Sequence, residues 1–336
     1  MRIARGKQAR AGLAVGAALL VGPVWQGCSG RTAPAPSDPA LSVSAARAAP
    51  QPGLDATLIA DRLGTPVSSL ADGAVSATLP RAPGAALPLR IEGAPAAIAL
   101  GLGTDVVFRP VSKGVAIAGS TALLEDEVNP VLDTLLAHGI RVVGLYNRFL
   151  YDEPRVLVLR FEAEGQAALL ASGVQSIAAV VRDARRQSPQ PLRALSGEAL
   201  VRGSLDAATL AGVFGVQARV QGETVLVDVP RAANPVPSTG AAGAASTAPA
   251  RPLLTAAFSG SDLHAALDGS LVVAAAELVP VLAALRAANV QLVALVPRGV
   301  EGTSEWFTLF IRGKGTSLGL VQALEQVLHA VGAAPP

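Results

Sequence analysis

Three residues between positions 144 and 160 carry groups able to grip a ligand: Tyr146, Arg148 and Arg160. Tyr146 and Arg148 are two positions apart, so on a strand they project from one face, and a returning strand brings Arg160 beside them. Two guanidinium forks and a phenol suit a carboxylate or a phosphate, held by charge-assisted hydrogen bonds. The same three side chains cannot hold a metal, because arginine stays protonated and has no lone pair to donate. Asn147 and Arg155 complete this candidate anion site. A plainer reading stands beside it. Arg148 and Arg160 point to solvent or pair with Asp152, Glu153 and Glu162, as surface charges on hairpins commonly do.

Other combinations offer less. Gly315-Thr316-Ser317-Leu318-Gly319 spells a nucleophile elbow between a predicted strand and helix. No aspartate follows it, and His329 lies twelve residues along the same helix, about 18 Å away at helical rise. Ser317 is therefore expected to cap its helix. Glu125, Asp126 and Glu127 form a helix-start acidic cluster, suited to the positive end of the dipole, and His138 suits the opposite end of that helix. No P-loop, dinucleotide fingerprint or metalloprotease helix is present. A single cysteine allows no intrachain disulfide and no thiolate metal cluster. No cofactor and no metal site is expected.

The elements that must position these residues are legible. A helix is predicted over 127–138, a strand over 140–147, a turn at 151–154, a returning strand over 155–161 and a helix over 166–185. The pattern returns 150 positions later, between 276 and 311. Leu54-Asp55-Ala56 matches Leu205-Asp206-Ala207, and Pro80-Arg81 matches Pro230-Arg231. Phe108, Gly119, Glu127, Pro130, Leu145 and Gly165 match Phe258, Gly269, Glu277, Pro280, Leu295 and Gly315. Pro130 and Pro280 are placed in the first turn of their helices, where a missing N–H costs nothing. Gly139 and Asn289 follow those helices, and both tolerate a left-handed cap. The sequence is thus expected to be two tandem repeats, 54–186 and 195–332, each an α+β unit with helices on one face of a mixed sheet. They differ most at 232–252, which is rich in Ala, Gly, Ser and Pro and reads as a mobile loop.

The N-terminus sets the expected address. Arg2, Arg5, Lys7 and Arg10 precede an apolar run from Ala11 to Val24, the layout of a secretory signal over 1–27. Gln26-Gly27-Cys28-Ser29 has the form of a lipobox, with Cys28 the lipid-bearing residue, although Trp25 stands where leucine is usual; the alternative is a chance cysteine near an ordinary cleavage site. Residues 28–53, rich in Ala, Pro and Ser, read as a tether. The whole chain has a net charge of +2 and a pI near 9.0. Once residues before Cys28 are removed, 23 basic residues face 25 acidic ones. The basic balance therefore belongs to the signal, and no nucleic-acid partner is expected.

Ala118-Gly119-Ser120, residues 125–128, Gly139-Ile140, residues 145–150 and Glu153-Pro154-Arg155 together resemble the LppY/LpqO proteins, a family of bacterial envelope proteins of unknown function. The resemblance covers nearly everything after the tether and is faint in the second repeat. It implies two tandem domains, a lipoprotein signal and an envelope location. It also implies a histidine cluster whose positions here hold Tyr146, Arg148 and Arg160, and Val296, Arg298 and Phe310 in the second repeat, so the cluster is lost. The leading expectation is a lipid-anchored, non-catalytic envelope protein that binds a small anion or another envelope component. An envelope hydrolase using arginines and carboxylates at the first hairpin is the alternative. A purely structural module is the third reading.

Overall fold

The computed structural model describes residues 54–81, 89–91, 93–95, 102–192, 201–231, 252–298 and 306–332. The signal segment, Cys28, the tether and the low-complexity stretch up to residue 251 lie outside the described residues. The first half runs α1 (Ala56–Leu63), β1 (Val67–Ser69), β2 (Val75–Leu79), β3 (Arg90–Ile91), β4 (Ala94–Pro95), β5 (Thr104–Val111), β6 (Gly114–Leu124), α2 (Glu125–Ala137), β7 (Arg141–Asn147), β8 (Asp152–Glu153), β9 (Val156–Gly165) and α3 (Ala167–Gln187). The second half runs α4 (Ala207–Gly212), β10 (Ala218–Gln221), β11 (Thr224–Val229), β12 (Leu254–Gly260), β13 (Ala265–Ala274), α5 (Ala275–Ala287), β14 (Gln291–Arg298), β15 (Trp306–Gly315) and α6 (Ser317–Ala330).

Local chemistry explains the boundaries. Asp55 caps α1 by accepting from Leu58 N at 2.9 Å, and Asp206 caps α4 by accepting from Ala208 N and Thr209 N, each at 3.1 Å. Gly64 (φ +67°) ends α1 in the left-handed conformation, and Gly139 (φ +68°) and Asn289 (φ +55°) do the same after α2 and α5. The two prolines fall later in their helices than predicted. Because α2 begins at Glu125 and α5 at Ala275, Pro130 and Pro280 sit in the second turn. Each therefore has no N–H to offer the carbonyl four residues back.

Twelve strands form one sheet in the order β1-β2-β5-β6-β9-β7-β14-β15-β13-β12-β11-β10. The strands of the second half stand in the mirror order of the first, so β7 and β14 meet at the middle, where Leu145 pairs with Leu295. The class is α+β as expected, but the sheet is antiparallel at every described pairing rather than mixed. Helix α2 does join two strands of like direction, β6 and β7. The returning strand β9 then inserts between them, pairing antiparallel with both.

Helices pack on one face. Val128, Val131, Leu132 and Leu135 of α2, Leu170, Val174 and Ile177 of α3, and Leu278, Val281 and Leu282 of α5 share one core with Leu145, Leu159, Leu295 and Leu309 of the sheet. Each such side chain contributes roughly 1.5–3 kcal/mol relative to exposure. Helix α3 is long and apolar enough to cross a membrane by length and composition. Its buried stripe makes it a core helix here. On the sheet's other face a small cluster groups Leu89, Ala122, Leu124 and Val156, with Phe149 and Leu102 against it.

Candidate functional site

Register assigns each candidate residue to a face. Tyr146 pairs with Val158, and Gly144 with Arg160. Arg148 continues the alternation, its N–H donating to the Val156 carbonyl at 3.0 Å. Tyr146, Arg148 and Arg160 therefore share the face turned away from the helices. Asn147 pairs with Leu157, a residue of the helix-side core, so it projects from the opposite face. Arg155 lies beyond the strand ends, 3.8 Å from Glu125, with both side chains more than half exposed. Of the five residues, three are thus brought to one face and two are not.

Each of those three is held differently. Arg148 lies with its guanidinium carbon 5.4 Å from the centre of the Phe149 ring. The aliphatic stem of Arg160 lies across Gly144, its Cβ and Cδ 3.5 and 3.6 Å from where a β-carbon would stand there. Tyr146 is 47% exposed, whereas its neighbour Leu145 is fully buried, which fixes the direction of the open face. The nearby carboxylates have partners of their own. Glu162 pairs with Arg141, and Asp152 accepts from Val156 N at 2.5 Å.

The polar constellation that sequence reasoning missed lies beside α2. Arg81 makes a two-pronged ion pair with Glu127, at 2.5 and 3.0 Å, and donates to the Ala122 carbonyl at 3.0 Å. Glu127 also accepts from Leu124 N at 2.9 Å. The second half has the same set: Arg231 to Glu277 at 2.9 and 3.0 Å, Arg231 to the Val272 carbonyl at 2.7 Å, and Ala274 N to Glu277 at 2.7 Å. Reading Glu127 and Glu277 only as dipole partners overlooked that an arginine recurs with each at a constant spacing. In the first half Arg185, on the longer α3, adds ion pairs to Asp126 and Glu127, and its side chain is 4% exposed. Burial raises the pKa of Glu277, but the Arg231 guanidinium and the Ala274 N–H outweigh it and hold the carboxyl below its ordinary value.

This set ties the start of each helix to the end of the strand before it. The cavity beside it, lined by Arg81, Thr104, Thr121, Ile177 and Val181, measures about 20 Å³. That volume has room for a water molecule. Ser317 has a different part from the one expected. Thr316 is the helix cap, accepting from Gly319 N at 3.1 Å. The Ser317 hydroxyl instead donates to Asp262 at 2.7 Å and is 5% exposed, tying α6 to the turn before β13. His138 contacts the Thr134 carbonyl through Nδ1 at 2.8 Å, at the end of α2. Among the described residues no group of three His, Cys, Asp or Glu side chains is placed to hold a metal ion.

Residues 58–180, a little over a third of the chain, match a family model described as Domain of Unknown Function (DUF1259). No curated protein and no solved structure matches the chain significantly.

Proposed function

We propose that this chain is a non-catalytic binding protein of the cell envelope, of LppY/LpqO type, built from two copies of one unit and held to a membrane by a lipid on Cys28. The observation that carries the binding part is the shared open face of Tyr146, Arg148 and Arg160, on rigid paired strands beside the seam between the halves. Paired strands hold side chains at set spacings, so a small anion meets a cationic surface that needs no reordering. The matched family model has no function in its description, so it supports a domain of unknown function over residues 58–180 and chooses no ligand. A hydrolase needs a proton-transfer group at the same place, and Asp152 and Glu162 are engaged with Val156 N and Arg141.

Titration of the full chain with small dianions such as succinate and phosphate tests this reading. Loss of binding in an Arg148→Ala/Arg160→Ala double variant is expected. Weak binding that is unchanged in that variant would end the anion site. Replacing Cys28 with Ala and finding the protein still held by an acyl chain would end the anchor.

A further inference from the structure

The open face has more order than a small anion requires. Because β7 and β14 are antiparallel with Leu145 opposite Leu295, Tyr146 stands opposite Ala294, and Ala294 stands opposite Phe310. Tyr146 and Phe310 are therefore two strands apart in one row, about 10 Å at the spacing of paired strands, with a small alanine as the floor between them. Both rings are on the surface, 47% and 44% exposed, while Leu145, Leu295 and Leu309 beside them are buried. The next row along the strands holds Arg160, Gly144, Val296 and Thr308. There the Arg160 stem packs over Gly144, in the space a side chain would otherwise take. Ser120 and Ser270 stand opposite Arg160 and Phe310 on the outer strands.

Charge at the centre of this surface has one sign, and the carboxylates farther along it, Glu162 and Asp268, pair with Arg141 and Arg312. Residues 144–147, 156–160, 294–298 and 306–310, the central segments of the four strands, include arginines at 160 and 298 and no aspartate or glutamate. Exposed aromatic rings with hydroxyls around them suit the C–H faces and the rim hydroxyls of pyranose sugars, because a ring's electron-rich face attracts polarised C–H bonds. A cation in the adjoining row suits a carboxylate carried on such a sugar.

We propose that the open face binds a chain of acidic sugars laid across the seam, with sugar rings on Tyr146 and Phe310 and a carboxylate at Arg160. This rests on the anion-binding reading above and extends it to a polymer, since two platforms two strands apart engage two sugar units at once. The gain from the second platform is one of effective concentration and needs no contact beyond stacking.

Calorimetric titration of the full chain with hexagalacturonate, galacturonate and neutral cellohexaose separates the possibilities. Hexagalacturonate is expected to bind about tenfold tighter than galacturonate or more, and cellohexaose more weakly than hexagalacturonate. Phe310→Ala, at an exposed position, is expected to weaken hexagalacturonate about fivefold and to leave galacturonate unchanged, whereas Tyr146→Ala weakens both. Arg160→Gln weakens both acids. A hexamer no tighter than the monomer, with the monomer still dependent on Arg160, overturns the polymer proposal and spares the anion site. Failure of the wild-type chain to bind either acid sinks both. Equal affinity for cellohexaose overturns the acidic part. Sedimentation of a chain lacking the signal and Cys28 with phosphatidylglycerol vesicles, abolished by Phe310→Ala, overturns the proposal in favour of a lipid surface.

Discussion

Glu127 and Glu277 occupy equivalent positions 150 residues apart, yet they bear unequal loads. Glu127 is fully buried between Arg81 and Arg185, whereas Glu277 has one arginine and a side chain 22% exposed. Removing one member of a buried pair leaves the other charge stranded, at about 3–5 kcal/mol. Glu127→Gln is therefore expected to lower unfolding stability by that amount. Glu277→Gln should cost less, about 1–3 kcal/mol. Urea denaturation compares them, and equal losses would contradict the structural asymmetry. The pH dependence has a definite sign. Glu277 has a depressed folded pKa, so its contribution is present above the ordinary glutamate range and is lost as pH falls through the folded value. Acid unfolding of Glu277→Gln should accordingly lose part of the wild type's slope in that range. Both carboxylates and both arginines were visible in the sequence as matched residues. What was not visible is that the chain crosses itself to bring Arg81 to Glu127, a meeting no local pattern encodes.

At the level of elements, helices and the strands after them were readable because capping and apolar periodicity are local signals. The order of strands was harder to read. A helix linking two apolar strands suggests a parallel pair, and only the hairpin from β7 to β9 reveals that a third strand takes the place between. Matched glycines carry a further element-level consequence. At Gly119 an added β-carbon would lie 2.5 Å from the Phe161 ring and 2.6 Å from the Asp105 carbonyl oxygen. At Gly269 the nearest atoms are the Thr255 carbonyl oxygen at 3.0 Å and the Ile311 side chain at 3.3 Å. The bare backbone of β6 thus accommodates the phenyl ring of β9, while its counterpart faces a smaller, adjustable isoleucine. Gly119→Ala is expected to cost about 3 kcal/mol and Gly269→Ala about 1 kcal/mol. Chemical denaturation with an unchanged m-value checks both.

Across the whole molecule, the seam is where two halves legible as separate units become one sheet. Hydrogen bonds cross it besides the Leu145–Leu295 pair. Asp133 takes two hydrogen bonds from Arg286, at 2.8 and 3.1 Å, and the Asn129 side chain accepts from Leu292 N at 3.2 Å. The sequence gives no sign of these, because Asp133 and Arg286 do not occupy matched positions. Since Leu145 and Leu295 do, a first half alone presents at β7 the surface that β14 presents in the full chain. A fragment of residues 54–192 is therefore expected to form a symmetric dimer, Leu145 facing Leu145, with an exposed strand edge as the driving template. Asn129 would there meet Val142 N, the equivalent of Leu292 N, and keep its bond. Asp133 would face Leu136, the equivalent of Arg286, and lose its ion pair on both sides of the axis. Leu136→Arg should then restore the pair twice over and tighten the dimer. Light scattering across a dilution series measures this. A monomeric fragment, or a dimer that Leu136→Arg weakens, would mean that the halves meet through features peculiar to the full chain rather than through their shared design.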